Sequence, residues 1–474
     1  MNSKLREGFL YTSIAQVVNI VSILVINMLL SRSLAARDFG IVTFVQIIAT
    51  FVNLFTGEAV PSAIIQNKKL HEKDYGVLFN YSIILGIVFT LGYGALGYVF
   101  AFSFGDPIYI PVSWLMSTLV LASFLNCVPQ GLFLKALHFR ALSIRRIISS
   151  IMGLIGGVVS LLFGAGIYAI VIALVLPVIF SLIFNLFYVR INFTRSLSLR
   201  PIKLISEFLT EQAKFSVLNY GYRNIDNVLI GQFLGPTALG YYSKSYQLLS
   251  QPITLFLGIV TPVLQPVLSG YEKDVEYIRQ FYFKMSSSVA FIAIPVSVFF
   301  AMNSREITLL LFGPHWNNSV LPMAVLSLSI WVQLLTQIIT PIWQSRNLPK
   351  LQTRNGLISF ILITLSIIVG ITFHSIVSVA IMVSISYYVN FAISSHMLVK
   401  YALDSQVIKL FRGLLMPVLS GVACALILFL VQPYLTFASV FLTLLLRGVL
   451  WLVEGFLFLK LTGNLNMITA LLRK

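Results

Sequence analysis

The feature that most constrains this chain is a succession of about fourteen apolar runs separated by short polar breaks. A membrane-spanning helix needs ~20 mostly apolar residues. With 58% hydrophobic and only 10% charged residues, the 474-residue chain could not hide its apolar surface in a water-soluble core. We therefore predict an all-α integral membrane protein. The approximate spans are 9–31, 40–66, 76–103, 110–134, 144–163, 166–189, 212–234, 244–269, 284–303, 318–344, 355–373, 375–399, 412–431 and 435–459.

The lysine and arginine residues orient these spans. With both termini in the cytoplasm, 26 of the 32 Lys and Arg residues fall in cytoplasmic segments and four fall in outer loops. Cytoplasmic loops carry such an excess in membrane proteins, so the net charge of +17 indicates topology rather than nucleic-acid binding. Three outer basic residues, Arg32, Lys244 and Arg305, are interpreted as anchors at the membrane interface.

The sequence shows no sign of catalysis, of a cofactor or of a bound metal. It has no Walker loop, GxGxxG or GxSxG motif, and its five histidines are scattered. Cys127 and Cys424 both lie in apolar runs, which favours buried thiols over a disulfide. No loop is long enough for a catalytic domain, so we expect no catalytic residues.

The chain matches itself at an offset of 200 residues. "NMLLSRSLAARDFG" (27–40) aligns with "NVLIGQFLGPTALG" (227–240), and "EKD" occurs at both 72–74 and 272–274. Six spans per copy is an even number, so both copies enter from the cytoplasm and form a parallel repeat. Two six-helix lobes with a cleft between them indicate transport; a duplicated scaffold that transports nothing is the alternative.

The repeat divides the chain into four predicted segments. Residues 1–190 form an N-lobe of six transmembrane helices, and residues 212–400 form a C-lobe of six more. The basic stretch 191–211 is a cytoplasmic linker between them. Residues 401–474 hold the last helix pair and a cytoplasmic tail.

The seventh span carries polar residues in the stretch "NYGYRNIDNVLIGQFLG" (219–235). A charge at mid-membrane costs roughly 2.5–3.5 kcal/mol even on mild scales, so it normally faces a partner or water. Helical spacing places these side chains on one face, which is predicted to line a substrate cavity. The alternative is a local ion pair between Arg223 and Asp226. The predicted cavity residues of this span are Asn219, Tyr220, Arg223 and Asn227.

The first span shows a related polar face without charges. Gln16, Asn19 and Asn27 are predicted to line the same cavity. At the repeat offset, Arg223 and Asp226 correspond to isoleucines, so only the second copy carries the charges.

Two carboxylates, Asp226 and Glu58, are candidate sites of ion coupling, because a buried carboxylate can bind a proton or Na⁺. Gly57 and Pro61 are predicted to distort the helix around Glu58. A carboxylate simply hydrogen-bonded to a neighbouring helix is the alternative for Glu58.

The last span contains two further ionisable residues, Arg447 and Glu454. They are seven residues apart and lie on one helical face. We interpret them as a structural pair, because this span lies outside the repeat.

Several stretches resemble a known family. "SRSLAARDFGIVTFVQII", "FRALSIRRIIS", "RNIDNVLIGQFLGPTALGYYSKSYQLLSQP" and "LFGPHWNNSVLPMAVLSL" are similar to the Wzx-type lipopolysaccharide and exopolysaccharide flippases, especially the colanic-acid-exporter-like branch. Their superfamily also holds multidrug exporters and the peptidoglycan-precursor flippase. The resemblance covers essentially the whole chain.

The resemblance implies a function as well as a fold. The expected substrate is an undecaprenyl-pyrophosphate-linked oligosaccharide, moved from the cytoplasmic to the periplasmic leaflet of the bacterial inner membrane by alternating access. Arg223 suits an anionic substrate, whereas Asp226 and Glu58 suit ion coupling. Membrane lipids, a polysaccharide polymerase and a chain-length regulator are candidate partners. The first span lacks a mid-membrane cation, so Arg223 has fewer basic partners than a strongly cationic cavity would provide.

Two other functions compete with this interpretation. A cation-coupled multidrug exporter of the same superfamily would favour acidic cavity residues, which Arg223 opposes. A membrane glycosyltransferase or polymerase would need a long outer loop with carboxylates, and the sequence has none.

Overall fold

The computed structural model describes residues 3–67, 69–136, 139–189, 191–192, 194, 196–272, 274–346, 348–437 and 439–461. Within these residues the regular elements are helices and no strand occurs, which confirms the all-α prediction. The chain divides into two compact units, Met1–Gly240 and Tyr241–Lys474. The predicted partition into residues 1–190, 191–211, 212–400 and 401–474 stays a prediction.

The helices of the first unit are α1 (Ser3–Ser33), α2 (Ala36–Asn53), α3 (Val60–Gln66), α4 (Glu72–Phe104), α5 (Tyr109–Lys135), α6 (Phe139–Leu162), α7 (Tyr168–Tyr188) and the first part of α8 (Arg200–Ser269). Those of the second are the rest of α8, α9 (Val275–Met302), α10 (Ser304–Leu311), α11 (Val320–Ser327), α12 (Ile330–Ser345), α13 (Pro349–Thr372), α14 (Ile376–Tyr401), α15 (Val407–Val431) and α16 (Val440–Leu461).

The length and apolarity of the helices identify a multi-pass membrane protein. Among the described residues, 11 helices are long and apolar enough to cross a bilayer, or 12 if the bent pair Pro314–Ser327 and Ile330–Ser345 forms one span. That pair covers the predicted span 318–344, which is not one straight helix but bends by 49°. The number fourteen remains a prediction.

Helix α8 covers both predicted spans 212–234 and 244–269. The break between them occurs at Gly235, whose φ of 83° and ψ of 172° lie outside the helical region. A side chain would strain this conformation, and glycine adopts it readily. The sequence "LGPTALG" therefore ends one helical segment and starts the next, as its glycines predict.

Small residues bring α6 and α7 together in the first unit. A Cβ on Gly153 would lie 2.7 Å from Cγ of Pro177, and a Cβ on Gly157 would lie 2.9 Å from Cβ of Ala173. This is the close packing that small residues four apart allow between membrane helices. The GxxxG spacing in "MGLIGG" thus has a structural role.

The predicted linker is tied to the rest of the first unit. The hydroxyl of Tyr81 donates to the backbone oxygen of Leu197 at 2.8 Å, and Nδ2 of Asn67 donates to that of Leu204 at 2.9 Å. Ile191 and Ile205 are buried in an apolar cluster with residues of α3, α4 and α5. These contacts fix the start of α8 against the unit.

The second unit is built around α9, which packs against α11, α12, α15 and α16, while α13 packs on α14. Ser359 on α13 donates to Oδ1 of Asn390 on α14 at 2.6 Å, and Ser394 donates to Oδ1 of Asn355 at 2.8 Å. Polar side chains buried between these helices therefore satisfy one another.

Candidate substrate site

The polar side chains of α1 are used largely in packing. Oδ1 of Asn19 accepts a hydrogen bond of 2.8 Å from the hydroxyl of Ser150 on α6. Nδ2 of Asn27 donates to the backbone oxygen of Ile23 in its own helix at 2.7 Å. Gln16 is half-buried. The described contacts of this face thus connect α1 to α6, and its role in a cavity stays a prediction.

The polar face of α8 lies against α2. The hydroxyl of Tyr220 donates to the backbone oxygen of Ile47 at 2.6 Å, and its ring centroid is 6.0 Å from that of Phe51. Asp226 is 6% exposed, and its Oδ1 accepts from the backbone N–H of Asn227 at 2.8 Å. The structure therefore places this part of the face in a protein interior rather than in lipid.

Three predicted site residues cannot be located by their side chains. The backbone at Asn219 and Arg223 is helical, as predicted, but the side chains of Asn219, Arg223 and Glu58 lie outside the described residues. The predicted roles of all three stay predictions.

The helix around Glu58 is distorted, as Gly57 and Pro61 predict. Residues Leu54–Ala59 form a π-helical segment between α2 and α3. Such segments insert one residue into an α-helix and occur frequently at functional sites. Glu58 therefore sits on an irregular backbone within a span of the first unit.

The two glycines matched by the repeat make reciprocal contacts. A Cβ on Gly40 would collide with the backbone oxygen of Pro236, and a Cβ on Gly240 would collide with that of Ala36. At the offset of 200, residue 36 corresponds to residue 236 and residue 40 to residue 240. The contact of Gly40 with Pro236 is therefore equivalent to the contact of Gly240 with Ala36, and this equivalence supports the offset.

A buried polar network in the first unit escaped the sequence analysis. Nη1 of Arg145 donates to Oε1 of Gln130 and, at 2.8 Å, to Oδ1 of Asn185. Nδ2 of Asn185 donates in turn to Oδ1 of Asn126 at 2.7 Å and to Oε1 of Gln130 at 2.9 Å. Three membrane helices, α5, α6 and α7, meet at this network.

The charge of Arg145 is solvated by amides and an aromatic ring. Its guanidinium lies 5.3 Å from the ring centroid of Phe133, within range of a cation–π contact. No carboxylate pairs with it among the residues that the structure describes. Asn185 is completely buried. The first unit therefore contains a guanidinium that accepts no neutralising charge from its described partners, which are amides and an aromatic ring.

Arg145 was counted among the basic residues at the cytoplasmic end of the predicted span 144–163, and its polar partners were not predicted. Arg145 lies within α6, inside a candidate span that begins at Arg140. A signal was available, because Asn126 and Gln130 lie four residues apart in an otherwise apolar span, and Asn185 lies in another. Amides in membrane helices normally bond to a partner.

The predicted pair of Arg447 and Glu454 does not form. Nη1 of Arg447 lies 3.1 Å from Oε1 of Glu306 and 3.0 Å from Oδ1 of Asn303, and Nη2 donates to the backbone oxygen of Gln432 at 3.2 Å. Seven residues separate two side chains by about 10.5 Å along a helix, whereas Glu306 on α10 is adjacent. Arg447 is structural, as expected, but with another partner.

Lys244 also differs from its expected role as an interface anchor. It is 3% exposed, and its ammonium lies 5.2 Å from the ring centroid of Phe312 and 5.8 Å from that of Trp316. Two aromatic faces therefore stabilise a buried lysine in the second unit.

The remaining reactive groups do not suggest a metal centre. Cys127 and Cys424 are free and buried, which confirms their interpretation as buried thiols. In the described part of the chain, no three His, Cys, Asp or Glu side chains come together as metal ligands.

Solved structures show which known fold the chain shares. "Lipid II flippase MurJ, inward closed conformation" matches with a TM-score of 0.75 and 14% identity over 96% of this chain and 99% of that chain. An inward-facing multidrug resistance MATE family transporter of the MOP superfamily matches with a TM-score of 0.61 and 15% identity, covering 88% and 98% of the two chains. The chain has the fold of multi-pass helical membrane transporters.

The family follows from sequence. The model of a family described as polysaccharide biosynthesis protein matches residues 29–321, and the chain belongs to this family. It is 25% identical over 352 residues to lipopolysaccharide biosynthesis protein WzxC of Escherichia coli (strain K12), covering 72% of this chain and 69% of the relative. It is 23% identical over 437 residues to teichuronic acid biosynthesis protein TuaB of Bacillus subtilis (strain 168), covering 90% and 89%. The resemblance to Wzx-type proteins is confirmed.

Proposed function

We propose that the protein is a flippase for undecaprenyl-pyrophosphate-linked oligosaccharides, which it moves from the cytoplasmic to the periplasmic leaflet. It would reside in the bacterial inner membrane with both termini in the cytoplasm. Family membership supports a role in polysaccharide export. The names of the relatives, which include a succinoglycan biosynthesis transport protein, support the same class of substrate. A polymerase and a chain-length regulator are the partners that this role implies.

The observation that carries the proposal is the half-buried guanidinium of Arg145, which belongs to the candidate span Arg140–Leu162. Its described partners are the neutral amides of Gln130 and Asn185, so its charge remains available to an anion. A diphosphate is an anion whose oxygens pair well with guanidinium N–H groups. Arg146, the next residue, adds a second cation on α6, and its side chain is exposed.

Arg145 adds a cation that the predicted substrate site lacked. We inferred that Arg223 had too few basic partners to hold a diphosphate, because the first span carries no mid-membrane cation. Arg145 provides a further cation in the unit that also contains Arg223. We propose that both arginines interact with the anionic group, while Asn219, Tyr220, Asn227, Gln16, Asn19 and Asn27 line its path.

Substitution of Arg145 tests the proposal. Arg145→Gln should lower surface polysaccharide about tenfold or more, because a hydrogen bond to a charged group contributes about 1.5–3 kcal/mol. The assay is complementation of a deletion strain, with protein abundance in the membrane measured in parallel. Arg140→Gln is the matched control, since Arg140 is exposed on the same helix near the ring of Tyr11. Normal polysaccharide in the Arg145→Gln strain would refute the assignment.

Transport by alternating access is also proposed, and the reciprocal glycine contact supports it. The contact around Ala36 and Gly240 lies at the predicted outer end of α2 and just after the break at Gly235 in α8, where it would have to open to release substrate outward. Ala36 is buried, while its neighbour Ala35 is exposed.

Cysteine labelling can test whether this contact opens. Ala36→Cys should react with an impermeant maleimide only in cells that synthesise the lipid-linked substrate, whereas Ala35→Cys should react in all cells. The native thiols Cys127 and Cys424 are buried and provide a low background. Equal labelling of Ala36→Cys with and without substrate synthesis would contradict alternating access at this position.

A cation-coupled multidrug exporter is the second candidate, favoured by the fold shared with MATE transporters and by the buried carboxylate of Asp226. The substitution Asp226→Asn distinguishes the two functions. An exporter mutant with Asp226→Asn would become drug-sensitive with normal surface polysaccharide, whereas a flippase mutant would lose polysaccharide. In the flippase, Asp226 and Glu58 stay candidates for ion coupling.

A further inference from the structure

The last helix carries a carboxyl group that the transport proposal does not use. Glu454 on α16 lines a pocket with Phe291 and Pro295 of α9 and with Ser420 and Cys424 of α15. Trp451, Gly455 and Phe458 of α16 complete the lining. The pocket is therefore mostly apolar and lies among three helices long enough to span the membrane.

Neither oxygen of the Glu454 carboxyl has a hydrogen-bond partner among the described residues, although both oxygens are buried. The arginine two helical turns earlier, Arg447, is not available, because Glu306, Asn303 and the backbone of Gln432 bind it. A buried carboxyl is left without a cation.

A charged carboxylate in such a place is strongly unfavourable. Removing an ion from water without a partner costs so much that the group takes up a proton and becomes neutral instead. The neutral acid loses only the solvation of a dipole, and its O–H can donate to a nearby acceptor such as the Cys424 sulfur. The packing of α9, α15 and α16 is thus compatible with the acid and not with its anion.

We propose that Glu454 is a proton-binding site, and that this proton holds α9, α15 and α16 together at the pocket. The site lies in the second unit, outside every residue assigned to substrate or ion coupling. The inference goes beyond the proposed function and does not depend on it.

The groups around Glu454 determine how the site responds to pH. From α9 the pocket receives Phe291 and Pro295, which do not ionise. From α15 it receives the Cys424 thiol, the titratable neighbour in the described lining. Loss of the Glu454 proton at high pH would leave an anion beside a thiol, with no cation to compensate.

The third helix that packs against α16 is α10, which carries Arg305 and Glu306. Glu306 is paired with Arg447, and neither α10 residue lines the pocket. Rising pH should therefore loosen the pocket through Glu454.

Infrared difference spectroscopy tests the proton directly. The spectrum of the wild-type protein minus that of Glu454→Gln should contain the C=O band of a protonated carboxylic acid at neutral pH, and this band should fade as pH rises. Glu306→Gln is the matched control and should remove only carboxylate bands, because Glu306 is ion-paired. Carboxylate bands alone in the Glu454 difference at neutral pH would overturn the proposal.

Carbodiimide labelling of the unmodified protein gives a second test that needs no variant. The Glu454 carboxyl oxygen would add to the central carbon of dicyclohexylcarbodiimide while its proton moves to a nitrogen. The resulting O-acylisourea rearranges to a stable N-acylurea without a leaving group. Mass spectrometry should find the adduct on Glu454 and not on Glu306. An adduct on Glu306 alone, or on neither, would count against the site.

Cys424 reports whether the proton holds the pocket closed. Cys424 and Cys127 are both free and buried, and Cys127 lies in the other unit. Raising the pH should accelerate maleimide labelling of Cys424 several-fold relative to Cys127 in the wild type, and Glu454→Gln should abolish this difference. If the ratio of labelling rates responds to pH equally in the two proteins, the proton does not hold the helices together.

Discussion

Each unit of the molecule holds an arginine between long apolar helices, Arg145 half-buried and Arg447 buried, and the two arginines have different partners. Arg145 in the first unit is bound by Gln130 and Asn185, both neutral amides. Arg447 in the second unit is 2% exposed and is paired with the carboxylate of Glu306. The charge of Arg145 is solvated by amides, whereas the charge of Arg447 is neutralised by a carboxylate.

The difference separates a site from a structural element. An amide orients a guanidinium without removing its charge, so an approaching anion is still attracted. A carboxylate neutralises the charge, and Oδ1 of Asn303 accepts a further hydrogen bond from the guanidinium. A charged residue in a membrane helix is therefore a candidate functional residue only where no residue of opposite charge pairs with it.

The largest effect on stability is expected from Arg447→Ala. The substitution leaves the half-buried Glu306 without its cation. Breaking a buried ion pair costs about 3–5 kcal/mol, and the partial exposure of Glu306 puts the expected cost at the lower end of this range. We expect a large fall in the unfolding temperature of the detergent-solubilised protein and low abundance in the membrane. Arg305→Ala provides the control, because Arg305 is exposed beside Glu306. Equal stability of the two variants would mean that the pair contributes little.

A smaller effect is expected from Glu306→Gln. Arg447 would keep its hydrogen bonds to Asn303 and the backbone of Gln432 and lose only the neutralising charge. The expected loss of stability is about 1–3 kcal/mol, the cost of a weakened bond to a buried charged group. Surface polysaccharide should fall only in proportion to protein abundance. A specific loss of transport would show that the second arginine also serves the substrate.

The smallest effect on stability, and the sharpest functional one, is expected from Asn185→Asp. The variant gives Arg145 the carboxylate that Arg447 already has. The new carboxylate cannot donate to Asn126 and Gln130 as Nδ2 of Asn185 does, but rotation of the Asn126 amide would turn its NH₂ toward the carboxylate. The new ion pair and this bond offset the lost ones, so the unfolding temperature should change by only a few degrees. Surface polysaccharide should nevertheless fall about tenfold, which corresponds to about 1.4 kcal/mol of lost binding. Retained transport in Asn185→Asp would remove the distinction between the two arginines.

The sequence predicted those parts of the fold that depend on local physics. Apolar length and basic loops defined the spans, and the glycine of "LGPTALG" marked the break at Gly235. Gly57 and Pro61 marked the π-helical distortion. Each of these signals lies within a few residues of the structure that it predicts.

The partners of the polar side chains were harder to predict from the sequence, because a partner can come from any helix. Arg145 was counted as a topology signal, since its amide partners lie on α5 and α7, 15 and 40 residues away. Arg447 was assigned to Glu454 on its own helix, while its carboxylate lies 141 residues away on α10. Helical spacing identifies the faces of one helix, and tertiary structure decides which faces meet.

The reciprocal contact of Gly40 with Pro236 and Gly240 with Ala36 also has an evolutionary meaning. When two identical chains meet across a two-fold axis, residue i contacts residue j and j contacts i. The contact in this protein has that form, with the two chains joined into one. It is the interface expected of an ancestral homodimer of half-length subunits, in which Gly40 of each subunit met residue 36 of the other.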